Sequence, residues 1–127
     1  MGYESGGGLL VTVIDDDQSM RESLPDLLRE CGYEVETFSS AEVFLASGDL
    51  DRTKCLVLDV AMPGMSGPEL HRELHRRGRS MPVVFITAHG DDTMRPRLLE
   101  QGAVDCLFKP FSETALLAAI GSALRMT

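Results

Sequence analysis

Short runs of consecutive apolar residues constrain this sequence most. Residues 9–14 (LLVTVI), 55–58 (CLVL) and 83–86 (VVFI) carry almost no polar alternation. A strand that faces water on one side alternates apolar and polar residues, so unbroken runs indicate strands that are covered on both faces. These runs therefore predict a parallel sheet with helices packed on both of its sides.

Two further strand segments, at residues 34–38 and 104–108, complete an alternating order with segments of helical spacing between the strands. Strands recur at intervals of about 20 to 28 residues, as expected for right-handed crossover units. We predict a doubly wound α/β fold, with a five-stranded parallel sheet in the order 2-1-3-4-5 flanked by five helices. A chain of 127 residues with 43% hydrophobic residues suits one such domain.

Helix signals fall between the predicted strands. Three serines begin segments that match the capping box: Ser19, Ser39 and Ser66. Three glycines follow helical segments, as C′ glycines do: Gly32, Gly78 and Gly102. Two prolines need an explanation. Pro25 predicts a kink or a shifted start in the first helix, and Pro96 predicts a short fourth helix that begins near residue 93 or 94.

The charge balance limits the partners of the chain. It has 20 acidic and 12 basic residues, a net charge of -8. Nucleic-acid phosphates and anionic membranes both require a basic surface, so direct binding to either is not expected. No segment has the length of a membrane span or the pattern of a signal peptide. We expect a cytoplasmic protein with a flexible leader at residues 1–8 and one domain at residues 9–127.

Cysteines and histidines offer little chemistry in the sequence. Three unpaired cysteines are expected to be buried, reduced thiols: Cys31, Cys55 and Cys106. A basic stretch on the third helix forms either a solvated face or a partner site: His71, Arg72, His75, Arg76, Arg77 and Arg79. The three histidines have no further ligand at metal-binding spacing, so the sequence predicts no metal site there.

Polar residues follow four of the five predicted strands. In an open parallel sheet, ligands bind outside the carboxyl ends of the strands. These ends carry, in chain order, Asp15-Asp16-Asp17, Asp59, Thr87-Ala88 and Lys109. Because the first and third strands are neighbours in the predicted order, we expect Asp15, Asp16 and Asp59 to converge.

Converging carboxylates require a compensating charge. Two carboxylates about 5 Å apart repel by roughly 3 kcal/mol at an effective dielectric near 20. Lys109 supplies one positive charge, and Mg²⁺, which prefers a few carboxylates with waters and a phosphate oxygen, would supply two more. The backbone C=O of Ala61, in a tight turn, is a further candidate ligand. A carboxylate at Asp59 beside a metal, a lysine and the Thr87 hydroxyl is suited to attack phosphorus and hold an acyl phosphate.

Each of these features also has a simpler interpretation. The aspartate triplet alone is compatible with an acidic turn before a helix, and Asp59 alone with a turn residue. His89, two residues after Thr87, either overhangs the pocket or lies on an exposed loop. The specific signal is the combination of acids after strands one and three, a hydroxyl after strand four and a lysine after strand five.

Four segments in this order and spacing resemble the receiver domain of bacterial two-component response regulators: VTVIDDD, VLDVAMPGMSG, VVFITAHG and GAVDCLFKPF. The resemblance covers residues 9–126. ITAHGD and the GAVD…KPF stretch look most like the FixJ-like subgroup, whose members commonly carry a helix-turn-helix output domain after the receiver. The subgroup resemblance favours a receiver from a longer regulator over a stand-alone one.

The resemblance implies a flavodoxin-like or CheY-like fold in which Asp59 accepts a phosphoryl group from the phosphohistidine of a sensor kinase. It implies that Asp16, Asp59 and the Ala61 carbonyl bind Mg²⁺ directly and that Asp15 assists through water. Ala61 occupies one of two positions that modulate the loss of the phosphoryl group, and His89 occupies the other.

By the same resemblance, Thr87, Lys109 and the Ala88 backbone N–H receive the phosphoryl oxygens. Thr87 then moves inward and changes the face of helix four, strand five and helix five, which is often a dimer surface. The switch position on strand five, usually aromatic, is Cys106 here. A small thiol cannot report the movement through ring packing, so coupling of the usual kind is not expected.

We interpret the chain as a Mg²⁺-dependent phosphoacceptor domain, a switch rather than a turnover enzyme, that contacts DNA only through an output domain. Two alternatives stay open. One is a receiver-like interaction module that is not controlled by phosphorylation. The other is a haloacid-dehalogenase-like phosphatase with Asp15 as nucleophile and Asp17 as acid/base, although the chain has little room for a cap and Asp59 would be superfluous.

Overall fold

Five strands and five helices alternate along residues 8–125, the part of the chain that the computed structural model describes. The strands are β1 Leu10–Ile14, β2 Glu34–Phe38, β3 Thr53–Asp59, β4 Val83–Thr87 and β5 Asp105–Phe108. The helices are α1 Gln18–Glu30, α2 Ala41–Ala46, α3 Gly67–Arg76, α4 Met94–Glu100 and α5 Glu113–Arg125. Apart from its last residue, the predicted leader at residues 1–8 lies outside the described residues.

All strands pair in parallel, in the order β2-β1-β3-β4-β5. The predicted sheet order and the doubly wound α/β fold are therefore confirmed. Every residue of β1 and β4 is buried. Burial on both faces explains why these strands lack polar alternation. No helix within residues 8–125 is long and apolar enough to span a membrane.

Two hydrophobic clusters lie on opposite faces of the sheet. One packs α1 and α5 against the sheet and includes Leu28, Val57 and Ile120. The other covers the opposite face with α2, α3 and α4, and includes Leu70 and Phe85. Because successive residues of a strand point to opposite faces, neighbours such as Val57 and Leu58 belong to different clusters.

Two of the three predicted helix starts differ from the structure. Asp17, not Ser19, caps α1, because its carboxylate accepts hydrogen bonds from both the N–H and the hydroxyl of Ser19, each at 2.9 Å. Ser40, not Ser39, caps α2. Glu42, which the box at Ser39 would need, instead accepts a hydrogen bond from a distant backbone N–H.

The other helix signals behave as predicted where the structure tests them. The capping box at Ser66 is present. All three C′ glycines have positive φ: Gly32, Gly78 and Gly102. Helix α4 begins at Met94 and has seven residues, which confirms the short fourth helix. The start of α1 is not shifted by Pro25, because the helix runs from Gln18 to Glu30 with the proline buried inside it.

The three cysteines carry free thiols. Cys55 on β3 and Cys106 on β5 are buried, whereas Cys31, at the end of α1, is only partly buried. Burial of Cys31 was therefore predicted too strongly, because this residue lies where the helix leaves the core.

Candidate functional site

Polar side chains stand at four strand ends along the carboxyl edge of the sheet. Asp15 follows β1, Asp59 ends β3, Thr87 ends β4 and Lys109 follows β5. Asp15, Asp16 and Asp59 each place a carboxylate oxygen so that the three atoms lie within 4.8 Å of one another. The convergence expected from the sheet order is therefore present.

The cluster is largely removed from water. Asp15 is fully buried and Asp59 is 5% exposed, whereas Asp16 is exposed. A buried carboxylate keeps its charge only when a cation or several donors stabilise it. The arrangement therefore suits a hard divalent cation, with Asp16 on the side that is open to solvent.

Lys109 compensates the charge of Asp15 more directly than it compensates the charge of Asp59. Its ammonium group donates a 2.9 Å hydrogen bond to Oδ2 of Asp15, in a pair whose side chains are 16% and 0% exposed. Burial raises the pKa of Asp59 to about 7, and the hydrogen bond and negative charge of Asp15 act in the same direction against the weaker opposing effect of Lys109. Asp59 thus lacks the direct cationic partner that Asp15 has.

Asp15 is held in place from three directions. Oδ1 accepts a 2.9 Å hydrogen bond from the N–H of Asp17, and Oδ2 accepts the bond from Lys109. Arg21 on α1 donates a 2.8 Å bond to the backbone carbonyl of Asp15. Bonds from Ser19 lower the pKa of the Asp17 carboxyl, which caps α1 and does not join the cluster. This arrangement does not favour the phosphatase interpretation, in which these two aspartates act as nucleophile and acid/base.

The Thr87 hydroxyl holds the loop that follows β4. It donates a 3.0 Å hydrogen bond to the carbonyl of His89 and accepts a 3.1 Å bond from the His89 N–H. Thr87 is fully buried, whereas Ala88 and His89 are exposed. His89 therefore lies on an exposed loop, one of the two placements that the sequence left open.

Hydrogen bonds fix the loop between β3 and α3 at both ends. The N–H of Val60 donates a 2.9 Å hydrogen bond to the carbonyl of Ile86 on β4. The N–H of Gly67 donates a 3.0 Å bond to the Val60 carbonyl. Glu42 on α2 accepts a 2.8 Å bond from the N–H of Met65. Ala61 is exposed within this loop, and among the described residues no donor bonds to its carbonyl oxygen. That oxygen is therefore available to a ligand.

Sequence reasoning gave Glu42 and Gly67 no role at this site, and it interpreted Glu42 only as part of a helix cap. A Cβ on Gly67 would overlap the carbonyl oxygen of Asp59 and press on the ring of Phe85, so α3 can begin directly against the end of β3 only with glycine. Gly67 was visible in the VLDVAMPGMSG segment, but a close approach between two backbone segments has no side-chain signature in the sequence. The contact of Glu42 with the loop joins residues far apart in the chain and left no local pattern.

Cys106 lies within the core and not in the pocket. It is 2% exposed and belongs to the cluster beneath α3 and α4. Burial raises the pKa of its thiol, and the neighbouring Asp105 carboxylate adds to this effect. The aromatic side chain near the loop after β4 is Phe108, which is 42% exposed and whose ring lies where a Cβ on Gly90 would fall.

Comparisons with known proteins agree on one family. A family model described as the response regulator receiver domain matches residues 11–121. The chain is 44% identical over 117 residues to the response regulator protein TodT of Pseudomonas putida, an alignment that covers 92% of this chain and 52% of TodT. It is 47% identical over 117 residues to the transcriptional regulatory protein FixJ of Azorhizobium caulinodans, covering 91% of this chain and 55% of FixJ.

A solved structure supports the same relationship. The crystal structure of FixJ-N matches with a TM-score of 0.82 and 38% sequence identity, covering 93% of this chain and 94% of that one. The chain spans about half the length of the curated relatives it matches.

Proposed function

The chain belongs to the response regulator receiver domain family, the phosphoacceptor domains of two-component signalling, and on that premise we propose that Asp59 is its phosphoacceptor. The observation that carries the proposal is the convergence of Asp15, Asp16 and Asp59 with Lys109 at one edge of the sheet. Domains of this family receive phosphoryl groups from sensor histidine kinases. An oxygen of Asp59 would form a bond to phosphorus as the P–N bond of phosphohistidine breaks, and the imidazole would leave with a proton.

Receiver domains generally bind Mg²⁺ at an acidic pocket, and the residues here fit that ion. Burial, and next the hydrogen bond and charge of Asp15, raise the pKa of Asp59, and the Ala61 carbonyl is available as a neutral oxygen ligand. We assign Asp16, Asp59 and the Ala61 carbonyl as direct ligands and Asp15 as a ligand through water. When bound, Mg²⁺ supplies positive charge that favours ionised Asp59 and offsets charge on the phosphoryl oxygens.

We assign three groups to the phosphoryl oxygens: the Thr87 hydroxyl, the Ala88 backbone N–H and the Lys109 ammonium. Lys109 already lies in the pocket, held by Asp15. Thr87 must exchange its bonds with the His89 backbone for a bond to the new phosphoryl group. The exchange releases the loop after β4, which links phosphorylation to the position of α4.

The face formed by α4, β5 and α5 is our proposed output surface, and a homodimer is one form that it would take. We assign Cys106 to the switch residues because of its position on β5. Its buried side chain is small, so a change in its orientation would displace little of its surroundings. Ala61 and His89 are both exposed on the loops after β3 and β4, and we assign them to control of phosphoryl loss from their positions in the family pattern.

The relatives extend beyond the region that this chain matches, and one of them is a transcriptional regulatory protein. We propose that residues 9–127 form the receiver domain of a regulator that binds DNA through a separate output domain. The chain would then act as a switch, and its phosphoryl group would turn over once per signal rather than in steady-state catalysis.

The test is phosphorylation by acetyl phosphate in the presence of Mg²⁺, followed by intact mass measurement. We expect one phosphoryl adduct, stable in acid and labile in base. Asp59→Asn should lack the adduct, whereas Asp26→Asn, on an exposed part of α1, should retain it. An adduct that persists in Asp59→Asn would contradict the assignment. Absence of any adduct would favour the interaction module, and sustained phosphate release that depends on Asp15 would favour the phosphatase.

A further inference from the structure

His71 and His75 form a pair on α3, away from the carboxylate cluster. They are one helical turn apart and so share a face of the helix. Their ring centres lie 4.6 Å apart with a tilt of 48°. His71 is buried and packs edge-on against Phe85 with ring centres 5.7 Å apart, whereas His75 is exposed.

The two rings point toward the same place. A Cβ on Gly102 would lie 3.9 Å from Cε1 of His71 and 3.8 Å from Cε1 of His75. In imidazole, Cε1 lies between the two nitrogens, so both rings turn a nitrogen-bearing edge toward this glycine. A cavity of about 130 Å³ borders both histidines, and Ser80 and Met81 also line it.

This cavity lies at the edge of the sheet opposite Asp59. Met81 comes just before β4, and Gly102 comes just before β5, so both lie near the amino ends of parallel strands. Any ligand held here would contact α3 and the loop after α4 without touching the carboxylate cluster.

The rings are suited to coordinate a metal ion. Burial lowers the pKa of His71 to about 4, and the charges of His75 and Arg72 act in the same direction. Imidazole nitrogens are common metal ligands in proteins, and both rings border the same cavity. The ring contacts of the pair are the tilted packing of His71 on His75 and the edge-on packing of His71 on Phe85.

We propose that His71 and His75 chelate a late first-row transition-metal ion, with Zn²⁺ as the reference ion, in the cavity beside Gly102. Zn–N bonds of about 2.0–2.1 Å with tetrahedral angles place two bound imidazole centres about 5 Å apart. The observed 4.6 Å is close to that separation. Water, the Ser80 hydroxyl or the Met81 thioether would complete the coordination.

Imidazole ligands distinguish this site from the carboxylate pocket. Nitrogen ligands select zinc, copper or nickel, whereas the three aspartates suit hard cations such as Mg²⁺. Nearby positive charge sets a limit on affinity. Arg76 and Arg77 are both paired with Glu73, which reduces their repulsion, but Arg72 opposes a cation. With two protein ligands, we expect binding weaker than at a structural zinc site.

The test is calorimetric titration of Zn²⁺ into the protein with Mg²⁺ in excess, so that the carboxylate cluster is already occupied. His75→Gln changes an exposed residue and should leave the fold intact. It should weaken the strongest Zn²⁺ binding by at least about tenfold, since even loss of a supporting residue around a metal costs that much. His89→Gln, which changes the histidine on the other edge of the sheet, should bind Zn²⁺ like the unchanged chain.

A second measurement identifies the ligands. In NMR spectra of the histidine rings, Zn²⁺ should shift the signals of His71 and His75 and leave those of His89 in place. The proposal is wrong if the unchanged chain does not bind Zn²⁺ under excess Mg²⁺, or if His75→Gln binds it as tightly. Neither result would affect the assignment of Asp59, because the acetyl phosphate experiment uses no transition metal.

Discussion

Replacing Asp59 by asparagine should stabilise the metal-free protein, and more so at high pH. Asparagine keeps nearly the shape of a protonated carboxyl group but cannot ionise. Asp59 is 5% exposed, and its pKa rises from 3.8 to about 7 on folding, mainly through burial and next through Asp15. The substitution therefore removes a charge that the folded state holds unfavourably.

The sign follows from proton binding. Between pH 4 and 7 the folded chain holds a proton on Asp59 that the unfolded chain has lost, so this group makes stability fall as pH rises through that range. Each tenfold change in proton affinity corresponds to about 1.4 kcal/mol. Asp59 therefore lowers the free energy of unfolding by on the order of 4 kcal/mol at pH 8, where the folded group is ionised. At pH 5, where the folded group is protonated, it lowers it by only about 1–2 kcal/mol.

We expect the stabilisation by Asp59→Asn to be about 2–3 kcal/mol larger at pH 8 than at pH 5. For a domain of this size, that corresponds to a difference of roughly 6–10 °C in melting temperature. Urea unfolding at each pH with a chelator present measures the difference in free energy of unfolding. Far-UV circular dichroism follows the unfolding, since the chain has no tryptophan for fluorescence. Asp26→Asn, on the surface of α1, is the matched control and should show no such pH dependence.

Two results would refute the reasoning. One is a stability difference that is the same at both pH values, and the other is a variant that is less stable than the unchanged chain at pH 8. Addition of Mg²⁺ gives a further check. The ion should stabilise the unchanged chain by about 2.7 kcal/mol at a concentration of 100 times its Kd, and it should stabilise Asp59→Asn less because a ligand is lost.

Three other substitutions test the surroundings of the pocket. Glu42→Gln should weaken Mg²⁺ binding several-fold in calorimetry, because the loop after β3 loses a charge-assisted hydrogen bond; unchanged affinity would show that this contact does not position the loop. Gly67→Ala should cost about 3 kcal/mol or more in urea unfolding, since its methyl group overlaps the Asp59 carbonyl, and a loss below about 1 kcal/mol would contradict this. Gly90→Ala should lower the free energy of unfolding by about 1 kcal/mol, because its methyl group displaces the Phe108 ring. This loss should vanish in a Phe108→Ala background, and an equal loss in both backgrounds would exclude that contact.

The strands and the pocket were predictable because each depends on a simple regularity. Unbroken apolar runs occur where both faces of a strand are buried, and the order of a doubly wound sheet then brings the ends of β1 and β3 together. Asp15 and Asp59 follow these runs directly. Their proximity required only that the strands be parallel and adjacent.

Competing hydrogen bonds were not predictable in the same way. Asp17 and Ser19 both suit a helix cap, and the sequence does not show that the carboxylate of Asp17 will bind both polar groups of Ser19. Glu42 fits a capping box locally, yet it bonds to a loop 23 residues away. In the first case two local caps competed, and in the second a distant backbone N–H displaced the local partner.

The shared position of His71 and His75 was hidden for a different reason. Their spacing along α3 was visible, but the sequence offered no third feature nearby. The space that both rings face is provided by Gly102, which enters from another part of the chain and is recognisable locally only as the end of α4.

The contact between Lys109 and Asp15 joins residues that are 94 positions apart. A nascent chain that has not yet released β5 from the ribosome therefore lacks the cation that holds its first aspartate, however well its earlier strands have formed. Truncated or half-synthesised copies would leave the buried Asp15 carboxylate without this partner, so the cluster is complete only in molecules whose synthesis has passed β5.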